Sequence, residues 1–335
     1  MQTKTITVLA GVSLLAFVLA GCSTAPVHQP RLNFDNAHNG GSVLAFDHRS
    51  RLLASGGWEG NLRLWQLPGG KLLQGWRAHT DSVNGIYFFK SGRRLVTAGY
   101  DGRIKLWTTD GSLLRTIDAG APVTRMKASW KTDRLLAGHS DGSVSLWRLR
   151  SLTLLARKKL HRGAVRAVAL HPGRALYASS GTDGQVFVWR RRGKPRRMQR
   201  APTDSWTLAF SPRGRQLVGG GWFKLFYWRL GDASLKTVST RHKGIIKSLQ
   251  FSADGKSLAT ISRQTDSAVY ILDAGASRIR YRLAPHKLCG SYLRYSPDDR
   301  YLATTSDDAS VRIFDMQQVR RQHRQQTRKK FSSYK

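Results

Sequence analysis

The chain has 335 residues, with 56 Lys and Arg against 20 Asp and Glu, for a formal net charge of +36. The acids are all Asp except Glu59. Because Glu favours helices and Asp favours turns, helices should be scarce. Two cysteines, Cys22 and Cys289, exclude a disulfide-dense scaffold.

In chain order, "MQTKTIT" carries one charge, Lys4, and precedes the apolar run Val8 to Val18. That run is too short to span a hydrocarbon core of about 30 Å, but it has the length of a signal-peptide h-region. It ends in "LAGC", Leu19 to Cys22, which resembles the bacterial lipobox. The resemblance implies a signal peptide over 1–21, a diacylglycerol thioether on Cys22 and an acylated amine. Several acyl chains make such an anchor effectively permanent. The alternative is an ordinary signal peptide or anchor helix with a chance cysteine. Ser23 follows the cysteine, where many inner-membrane lipoproteins of this kind carry Asp. The resemblance thus implies the cell envelope, at the outer membrane facing the periplasm. An acylated Cys22 leaves Cys289 without an intramolecular partner. Export also removes a nuclear-import reading of "WRRRGKPRRMQR" (Trp189 to Arg200) and argues against a nucleic-acid partner.

Beyond the tether, short apolar segments recur, each ending in an aromatic or aliphatic residue: Trp65, Trp107, Trp147, Trp189, Trp228, Leu272 and Phe314. Successive spacings are 42, 40, 42, 39, 44 and 42 residues. Each copy has two earlier strand candidates ("VNGIYF" and "RLVTAG" in the second) and, in the earlier copies, one later candidate ("LLRTID"). Alternating segments at this spacing predict four strands per unit and an all-β, seven-bladed propeller.

These copies resemble the WD40 repeat family, over residues ~34 to 316. The family's tetrad joins a His before the first strand, a Ser or Thr in the second, an Asp in the following turn and a Trp in the third. It matches at His79, Thr97, Asp101, Trp107, and again at His161, Ser179, Asp183, Trp189. The first copy has His38, Ser55 and Trp65 with Glu59 for Asp. The sixth has His242, Thr260 and Asp266, and the seventh His286, Thr304 and Asp308; their last positions are Leu272 and Phe314. The third keeps Asp141 and Trp147, and the fifth has Trp222 where Asp is expected. The resemblance implies a polar network that satisfies buried groups while the Trp fills space between blades. These histidines are read as structural, not as metal ligands.

The last copy lacks a fourth strand, and "RLNFDN" (Arg31 to Asn36) is extended and unassigned. It is expected to close the ring as the outer strand of the seventh blade, leaving no open sheet edge. The domain reading is a signal peptide over 1–21, a lipidated tether over 22–33, a propeller over 34–316 and a disordered basic tail over 317–335.

No phosphate loop, H-E-x-x-H, paired-cysteine spacing or G-x-S-x-G occurs. Most carboxylates fall in tetrads or turns, so neither catalytic residues, nor metal, nor cofactor are assigned. Binding is the better reading. In the resemblance, the top face collects the entries to the first strands (Ser42, Asn84, Thr124, Arg166, Trp206, Lys247, Ser291). It also collects residues before the turn Asp (Trp58, Tyr100, Ser140, Thr182, Thr265, Asp307), together with Trp222. Trp58, Tyr100, Arg166, Trp206, Trp222 and Lys247 are the candidates for protein binding, being mostly types enriched in interface hot spots; for Trp206 the alternative is packing between blades.

The opposite face collects Arg49, Arg51, Lys90, Arg93, Arg94, Arg134, Arg174, Arg213, Arg215, Lys256 and Arg300. The same side should hold a basic hairpin with Arg190, Arg191, Arg192, Lys194, Arg196 and Arg197. With Arg328, Lys329 and Lys330 of the tail, the hairpin is the candidate anion site, suited to phosphates and carboxylates. The expected partners are thus unidentified envelope proteins at the top face, the membrane through the lipid anchor, and, in a second reading, anionic lipid or polysaccharide. Overall basicity without a specific partner is the remaining alternative.

Overall fold

The computed structural model describes residues 26–41, 43–264, 266–276 and 278–332, with side chains through 326. Seven antiparallel sheets form the blades of a ring. The second blade is typical: Val83–Phe88, Arg94–Gly99, Arg103–Thr108 and Leu113–Asp118 run from the central channel outward, each paired to the next. Alternation sets this arrangement. In the second strand every residue after Arg94 is buried and in the third only Arg103 is exposed, because both faces pack on neighbouring blades, whereas Leu113–Asp118 is almost wholly exposed.

The core is a set of seams. Seven buried clusters each join two successive blades, and each holds one of the aromatic or aliphatic residues that mark the repeat. In one seam Leu62, Leu64 and Ala54 of blade 1 meet Phe88, Leu95 and Trp107 of blade 2. Turns lock neighbouring blades together. Gly60, at φ 81°, accepts from the amide of His79, and a Cβ there would lie 2.1 Å from the His79 carbonyl oxygen. Only glycine tolerates that approach.

Ring closure is as expected. Leu32–Phe34 pairs antiparallel with Val311–Asp315 as the outer strand of blade 7. Phe34 stacks on Trp65 of blade 1, with ring centroids 4.2 Å apart.

Two boundaries differ from the sequence reading. The chain joins the ring before residue 34: Val27–His28 pairs parallel with Ile279–Leu283, adding a fifth strand to blade 6. The tail read as disordered is instead an α-helix, Met316–Ser332. Met316 and Val319 enter the seam between blades 6 and 7. Asp315 accepts from the amides of Gln317 and Gln318, capping the helix. Packing of one apolar edge outweighs the helix's dense positive charge.

Candidate functional site: the top face and channel mouth

The tetrads hold the top face rigid, and they are not equivalent. In blade 2, the Trp107 indole N–H donates to Thr97 Oγ1 (2.9 Å), Thr97 meets His79 Nε2 (2.7 Å) and His79 Nδ1 meets Asp101 (2.9 Å). A carboxylate only accepts, so Nδ1 carries the proton and Nε2 accepts from the threonine. Burial alone would raise the Asp101 carboxyl, but its bond to His79 and the amides of Thr80 and Arg103 outweigh this and hold it down to about 2. Blade 1 repeats the relay with Glu59, 2.7 Å from His38.

Blade 4 departs from expectation. His161 bonds Ser179 (2.9 Å) and Asp183 (3.1 Å), yet the buried Trp189 indole N–H has no hydrogen-bond partner. Tyr177 packs against the Trp189 ring (centroids 4.9 Å apart), and Phe187 lies edge-on to His161. Trp189 fills its seam without completing the relay.

Blade 3 rebuilds the network from other positions. His139, at the end of Arg134–His139, bonds Ser145 Oγ (2.7 Å), which accepts from the Trp147 indole (2.8 Å). Its Nδ1 donates to the Ala121 carbonyl. In blade 5, Trp228 donates to the Gln199 carbonyl (2.7 Å) instead. In blade 6, His242 keeps Thr260 (2.8 Å), and Asp266 lies 3.7 Å from Nδ1.

Above this frame sit the candidate contact residues. Trp58, Tyr100 and Trp222 are 48%, 43% and 36% exposed. The Trp58 indole lies flat against the Gly40–Gly41 backbone, so close that a Cβ on Gly41 would meet it at 2.6 Å. Trp222 is joined by Phe223, 44% exposed, with ring centroids 5.4 Å apart. Phe223 has φ 59°, an uncommon conformation for an aromatic residue, at the tip of its turn.

Trp206, Arg166 and Lys247 are drawn together. The Arg166 guanidinium carbon lies 3.6 Å from the Trp206 ring centroid and the Lys247 ammonium 4.4 Å from it. The cations come from blades 4 and 6, flanking the tryptophan of blade 5. Trp206 thus packs between blades and also lines the channel mouth, with Trp58, Asn84, Lys247 and Ser291. Tyr100 and Trp222 stand farther out on the rim. Ser42 and Thr265 lie outside the described residues, as does Cys22.

Sequence reasoning missed the inner wall. Arg125 and Lys127 (blade 3), Arg263 (blade 6) and Tyr292 (blade 7) line the same cavity. Their signal was legible in "VTRMKAS", where Met126 is buried and the alternating Arg and Lys face the channel. It also missed a stripe of exposed leucines opening three successive outer strands: Leu72 and Leu73, Leu113 and Leu114, and Leu154. A Leu-Leu pair at one offset in "KLLQ", "SLLR" and "TLLA" was its sequence signal.

The basic hairpin is formed as expected. Arg190, Arg191, Arg192, Lys194, Arg196 and Arg197 are all exposed. Arg196 donates to the carbonyls of Leu230 and Gly231, tying the hairpin to blade 5. The side chains of Arg328, Lys329 and Lys330 are outside the described set. Among the described residues, no group of three or more His, Cys, Asp or Glu could hold a metal ion.

The WD domain, G-beta repeat family matches residues 30–66, 70–108, 153–190 and 285–315. Four of the seven blades thus match the WD40 repeat. Three of the matched segments start with the outer strand of one blade and continue into the next, and the segment 285–315 covers blade 7 alone. The matched blades, 1, 2, 4 and 7, are those whose His, Ser or Thr and acid stand in the standard order and are hydrogen-bonded. Similar proteins include the WD repeat-containing protein SL1-17 of Schistosoma mansoni, 28% identical over 56% of this chain and 62% of that protein. The WD repeat-containing protein VIP3 of Arabidopsis thaliana is 31% identical over 49% of this chain and 56% of that protein. The p21-activated protein kinase-interacting protein 1-like of Gallus gallus is 23% identical over 55% of this chain and 50% of that protein. The chain therefore spans between half and two thirds of these relatives' lengths. WD40 propellers are typically non-catalytic scaffolds for other proteins, which fits the aromatic top face.

Proposed function

We propose that this WD40 propeller is a non-enzymatic, membrane-anchored lipoprotein of the bacterial cell envelope that holds partner proteins against its top face. One observation carries the reading: Trp58, Tyr100, Trp222 and Phe223 are large, exposed aromatics gathered on one face of a rigid ring. Aromatics held on tight turns lose little entropy on binding and supply large contact areas. The name of the kinase-interacting relative is in keeping with such a role.

The lipobox resemblance of Leu19 to Cys22 supports anchoring. Only four residues, Ser23 to Pro26, lie between Cys22 and the strand at Val27, so five steps of ~3.3 Å give a reach of roughly 17 Å. The ring would thus lie close to the membrane. Metabolic labelling with a palmitate analogue tests the anchor: label should enter the chain and vanish in Cys22→Ala. Crosslinking in intact cells tests the scaffold, because Trp58→Ala with Trp222→Ala should remove partners seen with the unaltered chain.

A second reading is supported by the exposed hairpin from Arg190 to Arg197, which would bind anionic lipid or polysaccharide through long-range attraction. Replacing its Arg and Lys by Gln should then reduce binding to lipopolysaccharide, and binding should weaken steeply with salt.

A further inference from the structure

The inner wall of the channel holds a concentration of positive charge that the tetrads and the rim do not need. Arg125 and Lys127 come from blade 3, Arg166 from blade 4, Lys247 and Arg263 from blade 6 and Arg294 from blade 7. Two carboxylates answer them: Asp204 lies 3.3 Å from Arg166, and Asp307 lies 3.1 Å from Arg263. Arg125 donates to the Thr124 carbonyl (2.7 Å), and Lys127 to the Tyr292 hydroxyl (2.8 Å).

The cations act on one another. Burial and the charges of Arg125, Arg263 and Arg166 push the Lys247 ammonium down to about 6, against the opposing pull of Asp307. Burial would raise the Tyr292 phenol, but Lys127, Arg294 and Arg125 bring it down to about 8. Hydrogen-bond donors are also left over. The Trp206 indole N–H and the Arg166 Nε–H are buried without a partner. Buried donors and clustered like charges are both costly to leave uncompensated, and one negatively charged acceptor in the cavity would relieve both.

We infer that the mouth of the channel is a binding site for a multiply charged oxyanion of the phosphate or diphosphate class, held by Arg125, Arg166, Lys247 and Arg263 beside Trp206. Planar guanidinium forks match phosphate oxygens in pairs. With Asp204 and Asp307 offsetting two of the four cations, two positive charges remain once the anion holds Lys247 protonated, which a phosphate or diphosphate matches and a single carboxylate does not. The site is distinct from the basic hairpin on the opposite face, and it does not depend on protein docking at the outer rim.

Calorimetric titration of the full chain, in neutral detergent, with sodium pyrophosphate tests this, using sodium acetate at equal ionic strength as the comparison. Pyrophosphate should bind with one-to-one stoichiometry and acetate at least about tenfold more weakly. Arg125→Gln and Lys247→Gln should each weaken pyrophosphate binding by about tenfold or more, the size of one charge-assisted bond. Tyr100→Ala with Trp222→Ala, neither of which lines the cavity, should leave it unchanged, which separates this site from the scaffold reading. Should a channel variant not fold, the unaltered chain provides the second measurement: pyrophosphate should raise its melting temperature more than chloride does at matched ionic strength. Vesicles containing phosphatidic acid distinguish the source: competition with pyrophosphate assigns a lipid headgroup, and its absence a soluble anion. Equal binding of acetate and pyrophosphate, no melting-temperature shift, or loss of binding only when the Arg190 to Arg197 hairpin is neutralised would overturn the assignment.

Discussion

The guanidinium carbon of Arg166 lies 3.6 Å from the centre of the Trp206 ring, while the Lys247 ammonium lies 4.4 Å from it, reaching in from the other neighbouring blade. One tryptophan therefore separates two like charges and attracts both through its ring face. Three blades are joined at the channel mouth by this contact. Trp206→Ala should destabilise the fold by about 2 kcal/mol, combining lost packing with two cation–π contacts. Trp206→Phe should recover most of that. Urea denaturation of the three proteins measures both changes.

The tetrads of blades 2 and 4 look identical in sequence but differ in one hydrogen bond. Replacing Trp by Phe removes similar volume from either seam, but only Trp107 gives up a bond, the one to Thr97. Trp107→Phe should therefore cost about 1 kcal/mol more than Trp189→Phe. Equal costs in denaturant titrations would show that the Trp189 indole is hydrogen-bonded after all.

Acid should unfold the ring in two stages. Burial lowers the imidazoles of His38, His139, His161 and His286 below their ordinary value of 6.5. In that range the unfolded chain takes up protons that the folded chain refuses, so stability is present above about 6.5 and declines as pH falls. Despite burial, which would raise them, the hydrogen bond to His79 holds Asp101 down to about 2, and the nearby His242 imidazole with bonds from the Ser262 hydroxyl and the Lys243 amide does the same for Asp266. Their contribution is present above the ordinary carboxylate range and is lost as pH falls from about 4 towards 2. Melting temperatures between pH 8 and pH 2 should fall across both windows; a flat profile from pH 7 to pH 5 would contradict the first.

The C-terminal helix is held by two side chains. Met316 and Val319 are 1% and 2% exposed, in the seam between blades 6 and 7. Val319→Asp should cost about 3 kcal/mol by placing a charge in that seam, whereas Gln317→Asp, on the exposed side, should cost little. Circular dichroism melting distinguishes them.

How much of this was legible in the sequence depended on repetition. Seven blades and their closure by Leu32–Phe34 follow from a spacing near 42 residues, because every copy repeats one hydrophobic pattern. Elements that occur once were harder to see. Val27–His28 is too short to show alternation, and the final helix hides two buried residues in a basic segment. In blade 3 the relay moved from the expected loop to His139 and Ser145, so a search at fixed offsets passes over it. Of the candidate site, Trp58, Trp206 and Lys247 were found through their place in the repeat, and the structure brings them to one cavity. Arg125 and Lys127 receive no assignment from the sequence, because seeing them as a charge cluster requires knowing what faces them from blades 4, 6 and 7.

The central claim is that partners dock on the top face, and site-specific photocrosslinking in intact cells addresses it most directly. A photoreactive side chain at Tyr100 or Phe223 should capture defined proteins, and the additional change Trp222→Ala should abolish the capture. The same probe at Arg191, on the opposite face, should capture none of them. Identical proteins captured from both faces, or capture at Phe223 that is indifferent to Trp222→Ala, would contradict the account.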